Sequence, residues 1–217
     1  MMKKIAVILS GSGVFDGAEI HEAVLALHAI EKARASWHCF APNIDQLNVI
    51  NHQTGDEMDE KRNVLIEAAR IARGNIEDVA KLNVDEYDAL LLPGGFGAAK
   101  NLTDFAVNGA ECSINTHVAS ACRAFALAKK PAGYLCIAPI IIPMIYPNGV
   151  KGTVGKDQAA AAAFNQLGGQ HVDCAVEDVI FDPEHVVLSS PAYMLAETIS
   201  QASAGIDKLV THLVELT

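Results

Sequence analysis

Residues 3–17 read KKIAVILSGSGVFDG. Two lysines lead into an apolar run, Ile5–Leu9, that stops at Ser10 and Gly11. A short unbroken apolar run ended by glycine is the pattern of a strand buried on both faces, as in a parallel sheet. A secretory signal core needs roughly 7–15 apolar residues, more than this run supplies, so the segment reads as a first strand. Ile20, Ala23, Val24, Leu27 and Ile30 then recur at helical spacing, which predicts a helix over 17–33. Asp16 and Glu19 fit the two ends of a capping box at its start. Strand, glycine loop and helix make the first unit of a doubly wound fold.

The unit repeats outward from there. WHCFA (37–41), stopped by Pro42-Asn43, is a second strand, and 43–60 is a polar, irregular surface excursion. A helix is predicted over 62–73, with Val64, Leu65, Ala68, Ile71 and Ala72 on one face and Gly74 as its stop. A weaker helical stretch is expected at 76–81. DALLL (88–92) is the next strand and runs into PGGFGAAKNL. A helix over 116–129 precedes a strand at 132–136. Residues 137–146 are expected to be helical despite two prolines, because Pro139 falls in the tolerated first turn. A short strand (151–154), an alanine-rich helix (157–167) and strands at 171–176, 179–182 and 186–189, some antiparallel, lead to a closing helix over 196–215. Strands alternating with helices along the whole chain predict an α/β fold with a mostly parallel sheet, in one domain spanning 1–217.

Composition narrows the function. Of 217 residues, 51% are hydrophobic and 19% charged, enough apolar material for a buried core. The 16 basic against 26 acidic side chains give a net charge of −10. Nucleic acid and anionic membrane surfaces would be repelled, and a small neutral or polar ligand fits better. No apolar stretch reaches membrane-spanning length. The five cysteines include no CxxC pair, so neither a disulfide framework nor a cysteine zinc site is indicated, and reduced thiols in a cytoplasm-like compartment are expected.

Ligands of open parallel sheets bind beyond the C-terminal strand ends, and three loops leave such ends with unusual residues. The first, SGSGVFDGAE, spaces its glycines GxGxxxG, and no acid follows the second strand. A nicotinamide or nucleotide cofactor is therefore disfavoured, and a P-loop is excluded by the absence of GK[ST]. The second, Pro93-Gly94-Gly95-Phe96-Gly97, is either a plain turn or a nest of N–H groups for an oxyanion. The third, GYLCIAP (133–139), sets Cys136 at a strand exit with a helix beginning at once. Such a thiol is either core packing or a nucleophile whose pKa the helix N-terminus lowers. Cys39, Cys112, Cys122 and Cys174 read as core. Glu22, off the apolar stripe of the first helix, is either a solvated residue or a proton partner over the same crevice. His21, His52, His117, His171, His185 and His212 show no metal-ligand spacing, so no metal site is expected.

Together LLLPGGFGAAKNL, GYLCIAP and DGAEIHEA resemble the ThiJ/PfpI superfamily, relatives of the class I glutamine amidotransferase domains. SGSGVFDGAEIHEAV, CFAP, INHQTG, RNVLIEAARIARG and SSPAYMLAE resemble, within it, the ElbB proteins named for enhanced lycopene biosynthesis. The resemblance covers nearly the whole chain. It implies a flavodoxin-like three-layer α/β/α sandwich, a homodimer, and a cofactor-free, glutathione-independent glyoxalase (a lyase) that converts glyoxal to glycolate. Methylglyoxal would be a further small α-oxoaldehyde substrate. The elbow cysteine of the superfamily matches Cys136 and its acidic partner Glu22; the oxyanion-hole amides match Gly95 and Ile137. The proteases of the superfamily place a histidine directly after the cysteine, where this chain has Ile137, so a proteolytic triad is disfavoured. The other reading is a regulatory or binding protein, linked to isoprenoid biosynthesis, that keeps a degenerate amidotransferase pocket.

Overall fold

The computed structural model describes residues 2–217. Strand β1 (Lys4–Ile8) leads into α1 (Ile20–Lys32), β2 (Ser36–Ala41) and a small hairpin, β3 (Val49–Ile50) with β4 (Glu57–Met58). Then come α2 (Val64–Ile71), β5 (Ile76–Asp78), β6 (Ala89–Leu92), α3 (Phe105–Asn108), α4 (Thr116–Leu127) and β7 (Ala132–Leu135). After them follow α5 (Ile142–Ile145), β8 (Lys151–Gly152), α6 (Gln158–Gln166), β9 (Gln170–His171), β10 (Ile180–Asp182), β11 (Val187–Ser190) and α7 (Ile199–Glu215).

Seven strands form one sheet in the order β10-β11-β7-β6-β1-β2-β5. Only β10 and β11 run antiparallel; the other neighbours are parallel. The alternation in IAVIL explains how β1 can sit in the middle. Ile5, Val7 and Leu9 face a layer built from Ala23, Ala26 and Ile30 of α1 and Ile206, Leu209 and Leu213 of α7. Ala6 and Ile8 face the opposite layer, with Val118, Cys122 and Phe125 of α4 and Phe164 of α6. This is the predicted three-layer α/β/α sandwich. From β1 the chain moves to β2 on one side, and later returns with β6 on the other. That reversal places a crevice at the C-terminal ends of β1 and β6, with β7 next in line.

Several local expectations are corrected. Residues 76–78 form the edge strand β5, not a helix, followed by a single 3-10 turn at Val79–Lys81. The excursion over 43–60 contains the β3–β4 hairpin. The strand expected at 171–176 shrinks to Gln170–His171, paired with β8. Helix α1 begins at Ile20, and its N-cap is Glu19, not Asp16. Asp16 is buried elsewhere: its Oδ2 accepts the Ile50 N–H at 2.8 Å and so ties the β3–β4 hairpin to the first loop. No helix among the described residues is long and apolar enough to cross a membrane.

Candidate active site

Strand β7 ends at Leu135, and Cys136 turns off it with φ 61°, in the left-handed region. That conformation costs an L-residue about 1 kcal/mol or more. It is held here by the Cys136 N–H donating to Ser190 O at 3.0 Å. The Gly95 and Ile137 amides lie near enough to pull the thiol's pKa down, and the Glu22 carboxyl near enough to push it up. The two amides that the resemblance assigns to an oxyanion hole therefore converge on the thiol.

Glu22 is fully buried in the third position of α1. Its Oε2 accepts the Gly94 N–H at 2.8 Å and its Oε1 the Tyr193 N–H at 3.1 Å, with the Cys136 thiol as a third partner. Burial dominates and lifts the carboxyl from 4.5 to about 7, with Glu19 nearby adding to the rise; the bonds from Tyr193, Cys136 and Gly94 oppose it. Glu19 spans the same turn, its Oε2 accepting the Glu22 N–H at 2.7 Å.

Two glycines make this approach possible. A Cβ on Gly94 would collide with the Cys136 Cβ and lie 2.8 Å from Glu22 Oε2. Gly95 adopts φ 93°, and a Cβ there would collide with Glu19 N and Gly17 O. The PGGFG loop is not the convergent nest it could have been. Gly94 and Gly95 aim their N–H groups at the site, whereas the Phe96 N–H donates to Val14 O at 2.8 Å and the Gly97 N–H to Gly17 O at 2.9 Å. Those two bonds lock the second loop to the first.

The thiol itself departs from expectation. Burial first, then the charge of Glu22, push Cys136 well above the ordinary thiol range, against the pull of the two amides. The expected lowering by a helix N-terminus fails because residues 138–141 form only a 3-10 turn and α5 is four residues long. So short a helix has little dipole to offer. The resting site is a thiol beside a carboxyl whose pKa is near neutrality, not a preformed thiolate.

Cys136 lines a cavity of about 720 Å³ together with Val14, Phe96, Phe105, Tyr193 and Met194. No histidine lines it among the described residues. His21 lies next to Glu22 in sequence, but its Nδ1 is 3.0 Å from the Tyr193 hydroxyl. His171 is committed elsewhere: its Nε2 accepts the Val154 N–H at 3.2 Å, and burial lowers its pKa. Gly94 belongs to the loop singled out as a possible nest, but its N–H serves Glu22. Tyr193 and Ser190 escaped the sequence reading, because they act through backbone groups that leave no side-chain signal.

No protein-family model matches the chain. Individual proteins do. The ES1 protein homolog, mitochondrial, of Rattus norvegicus is 41% identical across 99% of this chain and 84% of its own length. The chain belongs to the ES1 family. A human member, glutamine amidotransferase-like class 1 domain-containing protein 3, mitochondrial, is 40% identical across 99% of this chain and 83% of its own. Among solved structures, an isoprenoid biosynthesis protein with amidotransferase-like domain from Ehrlichia chaffeensis is 35% identical and superposes with a TM-score of 0.91. That match covers 99% of this chain and 100% of the other. The family is class I glutamine amidotransferase-like, in line with the ElbB resemblance, and its fold is shared with a DJ-1 superfamily protein from Salmonella typhimurium, 19% identical with a TM-score of 0.62.

Proposed function

We propose that this ES1-family protein is a cofactor-free glyoxalase in which Cys136 is the nucleophile and Glu22 moves the protons. The observation that carries the reading is the buried contact between a thiol held at a strained strand exit and a carboxyl lifted to about 7. A carboxyl with a pKa close to the working pH can both take and return a proton.

Glu22 takes the thiol proton as sulfur adds to one aldehyde carbon of glyoxal. The oxyanion formed accepts from the Gly95 and Ile137 N–H groups and then recovers the proton from Glu22, which completes the hemithioacetal. Glu22 next removes the hydrogen on the sulfur-bearing carbon and delivers it to the neighbouring carbon, while the hydroxyl proton passes to the second oxygen. The first carbon is oxidised and the second reduced by the same amount, which leaves a thioester of glycolate. Water cleaves it and restores the thiol. Glyoxal and one water have become glycolic acid, without an external oxidant or reductant.

The test is glycolate production from glyoxal and methylglyoxal-derived lactate by Cys136→Ser and Glu22→Gln. Cys136→Ser should abolish both, and Glu22→Gln should lower kcat about 10²–10⁴-fold, the usual worth of positioned acid–base catalysis. Equal turnover by wild type and both variants would end the assignment. The homodimer is part of the proposal, supported by Ile20 and Val24, half-exposed apolar side chains one turn apart on α1; sedimentation checks it. A reducing, cytoplasm-like compartment is supported by five free cysteines, and fractionation tests that against the mitochondrial location in the relatives' names.

A further inference from the structure

The cavity beside Cys136 is far larger than a pair of joined carbonyls requires. Its volume of about 720 Å³ lies within the roughly 300–1,000 Å³ of clefts that hold drug-sized ligands. Its walls are mainly apolar, from Phe96, Phe105, Ile137 and Met194 to Ala160 and Ala163 of α6. Phe96 is 51% exposed and lies beside Phe15, with ring centroids 6.4 Å apart, so the cavity has an aromatic rim.

The charges in the lining have one sign. Glu19 and Asp157 contribute carboxylates, and no Lys, Arg or His lines the cavity among the described residues. Asp157 is fixed in place as the N-cap of α6, its Oδ1 accepting the Ala160 N–H at 2.8 Å. Of the cations around the cavity, His21 Nδ1 lies 3.9 Å from Glu19 Oε1, Lys156 is exposed beside Asp157 in the chain, and Lys100 is engaged elsewhere. Lys100 lies 5.8 Å from the Phe96 ring centroid, but its Nζ donates to Phe15 O at 2.8 Å and Asn48 Oδ1 at 3.1 Å. An anionic group in this cavity would meet two carboxylates and no cation among the lining residues.

We infer that the compounds this pocket selects carry, next to the carbon that Cys136 attacks, an uncharged apolar or aromatic substituent, and that Glu19 and Asp157 exclude anionic ones. On the glyoxalase reading, on which the identity of the reaction rests, the substrate class is an α-oxoaldehyde with such a substituent. The same proton transfer then yields its 2-hydroxy acid.

The selectivity can be read without turnover. Cys136 is alkylated with iodoacetamide, N-benzyl-iodoacetamide and iodoacetate, and each rate is divided by that of glutathione and followed by mass spectrometry of the Cys136 peptide. The benzyl reagent should react about tenfold faster than iodoacetamide, as expected for partial burial of a ring. Iodoacetate should be at least about tenfold slower, and Asp157→Asn, which keeps the cap and removes the charge, should recover part of that loss. Iodoacetate as fast as iodoacetamide, or a benzyl reagent slower than the parent, would overturn the inference. Turnover of glyoxal, phenylglyoxal and 4-carboxyphenylglyoxal runs in parallel and should rank phenylglyoxal first and the carboxylated compound last. Loss of all turnover with the alkylation order intact would remove the glyoxalase reading and leave the ligand class standing. Turnover of glyoxal with a flat alkylation order would do the reverse.

Discussion

Two thiols in this chain lie in opposite core layers, on either side of the sheet. Cys122, on α4, is packed with Val118, Phe125 and Tyr134, and burial pushes its pKa up to about 12. Cys136 belongs to the other layer, and burial pushes it up as well. Desolvation therefore does not separate them. What separates them is company: Cys136 has two amides, a carboxyl able to take its proton, and open space in front of it. Cys122 has a tyrosine hydroxyl and apolar neighbours. A buried cysteine becomes chemically useful when a proton acceptor and a vacant volume are supplied with it, even if its resting form stays neutral.

The contrast is sharpest in its pH dependence. Glu22 has a folded-state pKa raised above its unfolded value, so the folded state binds the extra proton and stability falls as pH rises from about 4.5 through about 7. The unfolding free energy of wild type minus that of Glu22→Gln should fall by roughly 3 kcal/mol between pH 4.5 and 8. Urea titrations at several pH values measure it, and a constant difference would mean that Glu22 does not titrate in this window. Cys122→Ala, outside the site, should leave the pH slope as it is in wild type.

A smaller effect is expected from crowding. Gly94→Ala brings a Cβ against the Cys136 Cβ and Glu22, and should cost about 1–3 kcal/mol of stability together with the Cys136–Glu22 contact. Chemical denaturation followed by alkylation kinetics reports both. Unchanged stability and unchanged labelling would show that the loop yields and that the close packing is dispensable.

The last effect concerns the thiol. Cys136 should alkylate with a pH midpoint above that of a free cysteine, and Glu22→Gln should lower it by removing the adjacent negative charge. Cys122 should stay unlabelled in the native protein. A wild-type midpoint below neutrality would reverse the picture and make Cys136 a standing thiolate.

The central fold was legible because its strands are short apolar runs closed by glycine or proline, and because α1, α4 and α7 keep helical spacing. Strand β5 was misread because IEDVAK mimics a helical turn, and only pairing with β2 decides its state. The Asp16–Glu19 box matched a local pattern, but Asp16 is claimed by Ile50, 34 residues away. At the site, the loops carrying Cys136 and Gly95 stood out by residue type, and Glu22 by its place off the apolar stripe of α1. The sign of the thiol's pKa did not, since it depends on burial and on how short the following helix is. The backbone donor of Tyr193 is invisible in a string of side chains.

The bond from the Tyr193 N–H to Glu22 spans 171 positions of the chain. During synthesis the first helix is made early, yet its glutamate cannot receive that donor until β11 and the turn after it have left the ribosome. The geometry around Cys136 is thus completed only when nearly the whole chain is available to fold.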